Sequence, residues 1–352
     1  MNRTHPPVGK YTPRTILHVT ECYEGGISRA IRSIVRLVPE DVHLLLGTGK
    51  DLTSDVDLFA SVVRLPSNPA QAIRKIRAVT RNLTPDVVHA HSSWGGFYAR
   101  TIPLPSSVVY QPHCYAFEAP NRSWVERAAF WAAEYVVSHR TSSVLTLSKH
   151  EMDLAIRLNA KIPAYHLPNV PTLPVLSPEV ANARPYTKSV YMIGRVTPQK
   201  DPEFFISVAN QVRQRLKDIE FVWIGDGETE QVEKLQAKGI RVTGWLSADA
   251  LTAELSTAGV YLHTASYEGF PLSVLDAASQ GVPIIARSIP CFNGTPLLQA
   301  RDPKKLARHV IDALTNQHTR SSVIEHGYSL LKSMNEQAQT DALNIAYENS
   351  RK

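Results

Sequence analysis

Short β-branched runs alternate with longer stretches of helical period along this chain, and the alternation breaks once, near its middle. Runs at 15–20 (TILHVT), 86–91 (DVVHAH), 107–111 (SVVYQ) and 143–147 (SVLTL) read as strands, with clear helices at 27–38 and 69–83. Five prolines, Pro168, Pro171, Pro174, Pro178 and Pro185, then fall within 18 residues. They exclude a continuous helix or a central strand and mark a linker. Alternation restarts with strands expected at 189–193, 220–224, 239–243, 259–264 and 281–287, and helices at 201–217, 228–238, 247–256 and 270–280. From Asp302 onward the pattern is helical only.

Strands separated by helices imply parallel βαβ units with both sheet faces covered. The expected class is α/β: two doubly wound, Rossmann-like domains facing across a cleft, with a C-terminal helical tail. A length of 352 residues also exceeds what one hydrophobic core usually organises. The expected boundaries are 1–168, a linker at 169–188, a second domain at 189–334, and a helix at 335–352 that packs back on the first domain.

Composition narrows the setting. With 43% hydrophobic and 20% charged residues the chain is no disordered segment. Cys22, Cys114 and Cys291 make no disulfide framework, which fits a reducing compartment. The start, MNRTHPPVGKYTPRT, lacks the apolar run of a secretory leader, and no 18-residue apolar stretch occurs. A cytoplasmic protein is expected, peripheral at most to the inner face of the plasma membrane. Residues 1–175 carry 19 Lys+Arg against 13 Asp+Glu, whereas residues 176–352 carry 19 of each. The basic excess therefore belongs to the first half.

In parallel sheets ligands bind beyond the strand ends, and those loops are informative here. Gly25 and Gly26 follow the first strand, where paired glycines let backbone amides approach a ligand or simply make a tight turn. Gly194 begins GRVTPQKD, which carries Arg195 and Lys200 five residues apart, a planar fork and a mobile point charge suited to a diphosphate. The run from Ser266 to Ala278 holds Glu268 and Asp276, with Gly269, Phe270, Pro271 and Leu272 between them. Pro271 suits the first helical position. On a 3.6-residue helix Asp276 sits at the edge of the apolar arc of Leu272, Leu275 and Ala278, within reach of the cleft.

The frame EGFPLSVLDAASQGVPIIA resembles the donor-site signature of family 4 glycosyltransferases, which have the two-domain GT-B fold. GRVTPQKD resembles their diphosphate loop, and VWIGDGE with VTGWL is similar to the segments flanking their nucleotide base, which brings in Trp245 and Leu246. EGGISRAI, DVVHAHSSWGG and QPHCYAFE resemble their first domain. The resemblance implies a retaining transferase that moves a sugar from a nucleotide-diphosphate donor, a UDP-sugar by family weight, to a glycan or polyprenyl-lipid-linked acceptor of cell-surface polysaccharide or glycolipid synthesis. It implies that Arg195 and Lys200 hold the diphosphate, Glu268 contacts the sugar, Asp276 takes the ribose hydroxyls, and His113 faces the sugar from the acceptor side. Three departures stand out: Asp276 where Glu is usual, Cys114 where Gly is common, and SIPCFNG without the usual paired glycines and acid.

No cofactor or metal is expected, because the two cations supply the charge that a departing diphosphate needs. Asp55-Val56-Asp57, the one Asp-x-Asp, follows a polar run and reads as loop. His89 and His91 end a strand with no cysteine or acid to complete a metal set, and His18 and His263 read as core-adjacent. The helices at 27–38 and 69–83 each carry a basic stripe, Arg29/Arg32/Arg36 and Arg74/Arg77/Arg81, that suits anionic lipid headgroups or simple solvation. The stretch 123–137 (SWVERAAFWAAEYVV) reads first as a buried helix, with a membrane-facing one as the alternative. No motif suggests nucleic-acid binding. Two competing functions remain on the same architecture: a nucleotide-sugar 2-epimerase, and a non-catalytic binding subunit.

Overall fold

The structure, a computed structural model, describes residues 12–350. Residues 1–11, where a leader was sought, lie outside the described residues. Two parallel sheets organise the chain. The first contains β1 (Thr15–Thr20), β2 (Val42–Gly47), β3 (Ser61–Arg64), β4 (Val87–His91), β5 (Ser107–Gln111), β6 (Ser143–Thr146) and β7 (Ala164–His166), in the order β3-β2-β1-β4-β5-β6-β7. The second contains β8 (Ser189–Ile193), β9 (Glu220–Ile224), β10 (Arg241–Val242), β11 (Val260–His263), β12 (Ile284–Arg287) and β13 (Leu298–Ala300), in the order β10-β9-β8-β11-β12-β13. Both are doubly wound α/β layers, as the alternation implies.

Around the first sheet run α1 (Gly25–Leu37), α2 (Pro69–Leu83), α3 (Ser93–Thr101), α4 (Trp124–Ser138) and α5 (Lys149–Leu158). The second domain brings α6 (Pro178–Ala183), α7 (Pro202–Arg213), α8 (Thr229–Ala237), α9 (Ala248–Ser256), α10 (Leu272–Ser279), α11 (Pro303–Thr315) and α12 (Gln317–Leu331), and the chain ends in α13 (Glu336–Glu348). Period-2 burial sorts the first domain's faces. Leu17, Val19, Val88 and Ala90 pack against α2, α3 and α5, whereas Ile16, Val87, Val109 and Leu145 pack against α1 and against Leu343, Ala346 and Tyr347 of α13. The last helix thus covers the first sheet.

Local chemistry places the ends. Asn68 caps α2 by accepting from the Gln71 N–H at 3.1 Å, with Pro69 in the first turn, and Thr84 stops it in the left-handed region at φ 42°. Ser123 and Glu126 form a capping box on α4. The proline-rich linker is pinned to the second domain. Leu176 N–H donates to Ser279 at 2.8 Å, and Arg184 donates to the carbonyls of Ser256 and Gln280 at 3.1 and 2.8 Å. Pro178 starts a six-residue helix inside this linker, in the one position where proline favours one.

The first reading of the 123–137 stretch is overturned. α4 is largely exposed: Trp124 is 81% accessible, and Val125, Trp131, Tyr135 and Val136 are exposed as well. Only Glu134, Val137 and Ser138 of this helix are buried. Its apolar composition signalled a core helix, but the carboxylate of Glu134 turns inward to take Arg100 at 2.8 Å and Tyr110 OH at 3.0 Å. That buried ionic contact fixes the other face outward.

Candidate active site

In each sheet the strand order reverses once, between β1 and β4 and between β8 and β11. Ligands of such sheets sit beyond the strand ends at that reversal. The loops after β1, β5, β8 and β11 meet there across the cleft.

The β8 loop is tightly built. Gly194 has φ 151°, and a Cβ on it would lie 2.9 Å from Lys200 Cε, so only glycine lets the lysine fold back. Asp201, left-handed at φ 54°, caps α7 through the Phe204 N–H at 3.0 Å and binds Arg287 at 2.6 Å. Lys200 so placed forms an ion pair with Glu268 of the β11 loop, the two side chains being 15% and 11% exposed. Gln199 donates to the Tyr267 carbonyl at 3.1 Å and to Glu268 Oε2 at 3.4 Å. His263 Nε2 stands 3.9 Å from Glu268, and burial, then Lys200, lowers its pKa, so it adds no charge. Arg195, half exposed, reaches across the cleft to Glu24 at 3.0 Å, beside Gly25 at the start of α1. Gly25 is left-handed at φ 59° and Gly26 has open space where a Cβ would be. The first amides of α1 and the Arg195 fork therefore lie together.

From the first domain comes His113. After β5 the backbone turns left-handed at two successive non-glycine residues, His113 (φ 53°) and Cys114 (φ 90°). Such conformations cost of order 1–3 kcal/mol each. Glu151 holds the turn, its carboxylate accepting the N–H groups of Cys114 at 2.6 Å and Leu147 at 2.7 Å. Burial pushes the Glu151 carboxyl up to about 7 and His113 down to about 4. Gly269 packs against this turn: a Cβ there would lie 3.0 Å from Cys114 N and 3.1 Å from the His113 carbonyl carbon. The two domains are thus in contact where residues predicted from each converge.

Several expectations need correction. Pro271 is the N-cap, in extended conformation, and α10 begins at Leu272. All of α10 is buried, Asp276 included. The wheel placed Asp276 at an edge open to the cleft, but the linker covers that edge. Its Oδ1 accepts the Thr172 N–H at 2.6 Å and hydroxyl at 2.9 Å, and its Oδ2 takes the guanidinium of Arg29 from α1. Leu246 lines an outer groove with Tyr191, Arg241 and Glu254, and Trp245 is 60% exposed on the same loop. Phe270 is buried edge-on against Phe292 at 5.5 Å, and its carbonyl takes Asn169 at 2.7 Å. The α1 stripe is no free surface, since Arg29 binds Asp276 and Arg32 binds Asp55 and Asp51.

Residues to which sequence reasoning gave no role in the site complete it: Glu151, Gln199, Thr172, and Arg29, which was read only as part of a basic stripe. None carries a local signal. Each acts on a group at least 37 positions away, Gln199 doing so from inside the 194–201 motif. His89 and His91, read as a strand-end pair without a third metal ligand, and His18, read as core-adjacent, are brought together, with one ring nitrogen of each within 4.8 Å of the others.

A family profile described as "Glycosyl transferase 4-like domain" matches residues 25–169, and one described as "Glycosyl transferases group 1" matches residues 187–316. An uncharacterized 41.2 kDa protein in the cps region of Klebsiella pneumoniae is 22% identical over 295 residues, covering 78% of this chain and 81% of that one. The UDP-Gal:alpha-D-GlcNAc-diphosphoundecaprenol alpha-1,3-galactosyltransferase of Escherichia coli is 27% identical, covering 58% of each. Anabaena HepE, solved in complex with UDP-glucose, superposes with a TM-score of 0.77 over 95% of this chain and 100% of that one, at 14% identity. At that identity the likeness concerns the fold, which is that of GT-B enzymes.

Proposed function

The chain belongs to the family 4 glycosyltransferases, and on that premise we propose that it transfers a sugar from a UDP-sugar to a lipid-linked glycan acceptor with retention of anomeric configuration. The observation that carries this reading is the Lys200–Glu268 pair of the second domain, whose neighbour Gly269 packs against the His113–Cys114 turn of the first.

Departure of a nucleoside diphosphate builds negative charge. Lys200 and Arg195, fixed on one loop, neutralise it without reorganising, together with the first amides of α1 and α10. Those cations support a reaction that needs no metal. Glu268 is held by Lys200 and Gln199 rather than aimed alone into the cleft. That favours a sugar-hydroxyl contact over a covalent nucleophile, and hence attack on the same face assisted by the leaving group. The UDP and lipid-linked assignments draw on the HepE complex and the E. coli relative.

The lipid-linked acceptor also draws on α4. Its exposed Trp124, Val125, Trp131, Tyr135 and Val136 match an interfacial helix, whose aromatic side chains have an apolar body and a polar tip. Along the same layer α2 exposes Arg74, Lys75, Arg77 and Arg81, suited to anionic headgroups at ~1 kcal/mol per charge. α4 packs on the turn 116–118 that follows His113, so a bilayer under it would lie beside the acceptor's entrance. No helix among the described residues is long and apolar enough to cross a membrane.

The test is nucleotide release from a panel of UDP- and GDP-sugars with a polyprenyl-diphosphate glycan acceptor, Glu268→Ala serving as control. Acceptor-dependent release lost in the control supports the reading. An isomerised donor without transfer would identify a 2-epimerase instead, and binding without turnover a non-catalytic subunit.

A further inference from the structure

Four histidines form one hydrogen-bonded file that crosses the first sheet and ends at the site. Their positions follow the spatial order of the strands: His43 on β2, His18 on β1, His91 on β4, and His113 just beyond β5. His43 Nε2 lies 3.0 Å from the Val38 carbonyl at the C-terminal end of α1. His43 Nδ1 lies 3.0 Å from His18 Nε2, His18 Nδ1 lies 3.0 Å from His91 Nε2, and His91 Nδ1 lies 3.1 Å from His113 Nε2. His18 and His91 are wholly buried and His43 nearly so.

A neutral imidazole has one donor and one acceptor nitrogen, and a carbonyl only accepts. The file therefore has one solution. Val38 requires a proton on His43 Nε2, leaving Nδ1 to accept from His18 Nε2–H. The same step repeats through His18 and His91, and it places a proton on His113 Nε2. His113 Nδ1 is left as a lone pair with no partner among the described residues, and it is not sealed from solvent. Neutrality along the file fits the environment, since burial lowers the pKa of His18, His43, His91 and His113. The negative end of the α1 dipole at Val38 favours the donated N–H there.

We propose that His43, His18 and His91 are positioning residues that set the tautomer of His113 from the Val38 carbonyl, so that Nδ1 meets the cleft as a hydrogen-bond acceptor for a substrate hydroxyl. The role in turnover rests on the transferase reading above; the tautomer does not. His89 stands outside the file. Its Nδ1 lies 2.8 Å from the Tyr347 hydroxyl of α13, and its Nε2 is buried without a partner.

The experiment is long-range 1H–15N correlation on the full chain with 15N-labelled histidine, His113 being assigned by the signal lost in His113→Gln. The expected result is a His113 protonated at Nε2 and bare at Nδ1 in the parent. His91→Asn keeps an acceptor where Nδ1 stood and retains that tautomer, with kcat within about threefold of the parent. His91→Leu shows mixed tautomers at His113, and kcat falls by about 10- to 100-fold while the donor KM stays within about twofold, the pattern of a contact made in the transition state. A His113 protonated at Nδ1 in the parent, or an unchanged tautomer in His91→Leu, overturns the proposal. So does a divalent cation bound at one per chain in the purified protein and lost in His89→Leu, since a cation among His18, His89 and His91 would break the file. If the tautomer is as stated and no donor turns over, the transferase reading fails and the proton file stands.

Discussion

The guanidinium of Arg29, on a helix of the first domain, is bound to the Asp276 carboxylate, which belongs to a helix of the second and is wholly buried. Thr172 of the linker donates to the same carboxylate at 2.6 and 2.9 Å. Three parts of the chain thus meet on one acid. Arg29→Met leaves Asp276 half satisfied and is expected to cost about 1–2 kcal/mol, less than a fully buried pair because Arg29 is 29% exposed. Small-angle scattering should show a wider average cleft, and the donor KM should change. An unchanged scattering profile would remove Arg29 as a link between the domains.

Lys200 is the cation closest to Glu268, and it lies on a loop rigid enough to need Gly194. Lys200→Ala should lower kcat about a hundredfold, the usual cost of one preorganised charge at a developing anion. Arg195, half exposed, should matter less. Single-turnover rates with saturating donor separate the two, and equal losses would argue against this ranking.

Cys114 holds a left-handed φ of 90° without being glycine. Cys114→Gly is expected to stabilise the fold by about 1 kcal/mol, the relieved strain exceeding the added chain entropy. A chain this long would gain about 2 °C in Tm. Gly269→Ala should do the reverse to function: its Cβ would press on Cys114 N and Leu147 at 3.0 Å and hold the domains apart. A slower transfer with little change in Tm is the expected signature.

Acid should unfold this protein early. His18, His43, His89, His91 and His113 are all depressed by burial, His113 to about 4. Folded pKa values below the unfolded ones give stability that is present above the unfolded value of about 6.5 and lost as pH falls, by about 1.4 kcal/mol per pH unit for each histidine. Glu151 works the other way. Raised to about 7, it stabilises at low pH and loses that contribution as pH rises through 7. Urea titrations from pH 5 to 8 should therefore show stability rising up to about 6.5, and Glu151→Gln should steepen that rise, because the opposing slope from Glu151 acts between about 4.5 and 7.

The exposed aromatic face of α4 predicts binding to vesicles. Leaving such side chains in water forfeits ~25 cal/mol per Å² of apolar surface, a strong reason for a partner. Trp124→Ser with Trp131→Ser should weaken sedimentation with anionic polyprenyl-containing vesicles by about tenfold or more. Arg74/Arg77/Arg81→Gln should flatten its salt dependence. Binding unchanged in both variants would free α4 for another role.

The central strands were legible because each is buried on both sides and reads as a β-branched run. β3, β7 and β13 were not, being short and partly exposed, and β2 was missed because its VHLLLG run follows directly on a Pro-Glu-Asp turn. The site was legible where the chemistry is contiguous, at 194–200 and 266–272. It was illegible where it depends on register. No local pattern says that His18 pairs with His89, or that His91 then lies between His18 and His113. Asp276 shows the same limit: its helix wheel was sound, but the linker residue that covers it is 104 positions away.

The return of the last helix to the first domain means that polypeptide crosses between the domains twice. Residues Leu330, Leu331 and Met334 are anchored in the core of the second domain, and Leu343, Ala346 and Tyr347 in the core of the first, against Ile16 of β1. Gln339 fastens the two crossings, donating to the Pro168 carbonyl at 2.6 Å while accepting from Ser33 at 2.8 Å. A door hung on two adjacent leaves swings about one axis and resists twisting. A single nick by a protease in the proline-rich crossing would leave the halves attached. Each time the cleft shuts, Glu268 and His113 would return to the same mutual alignment.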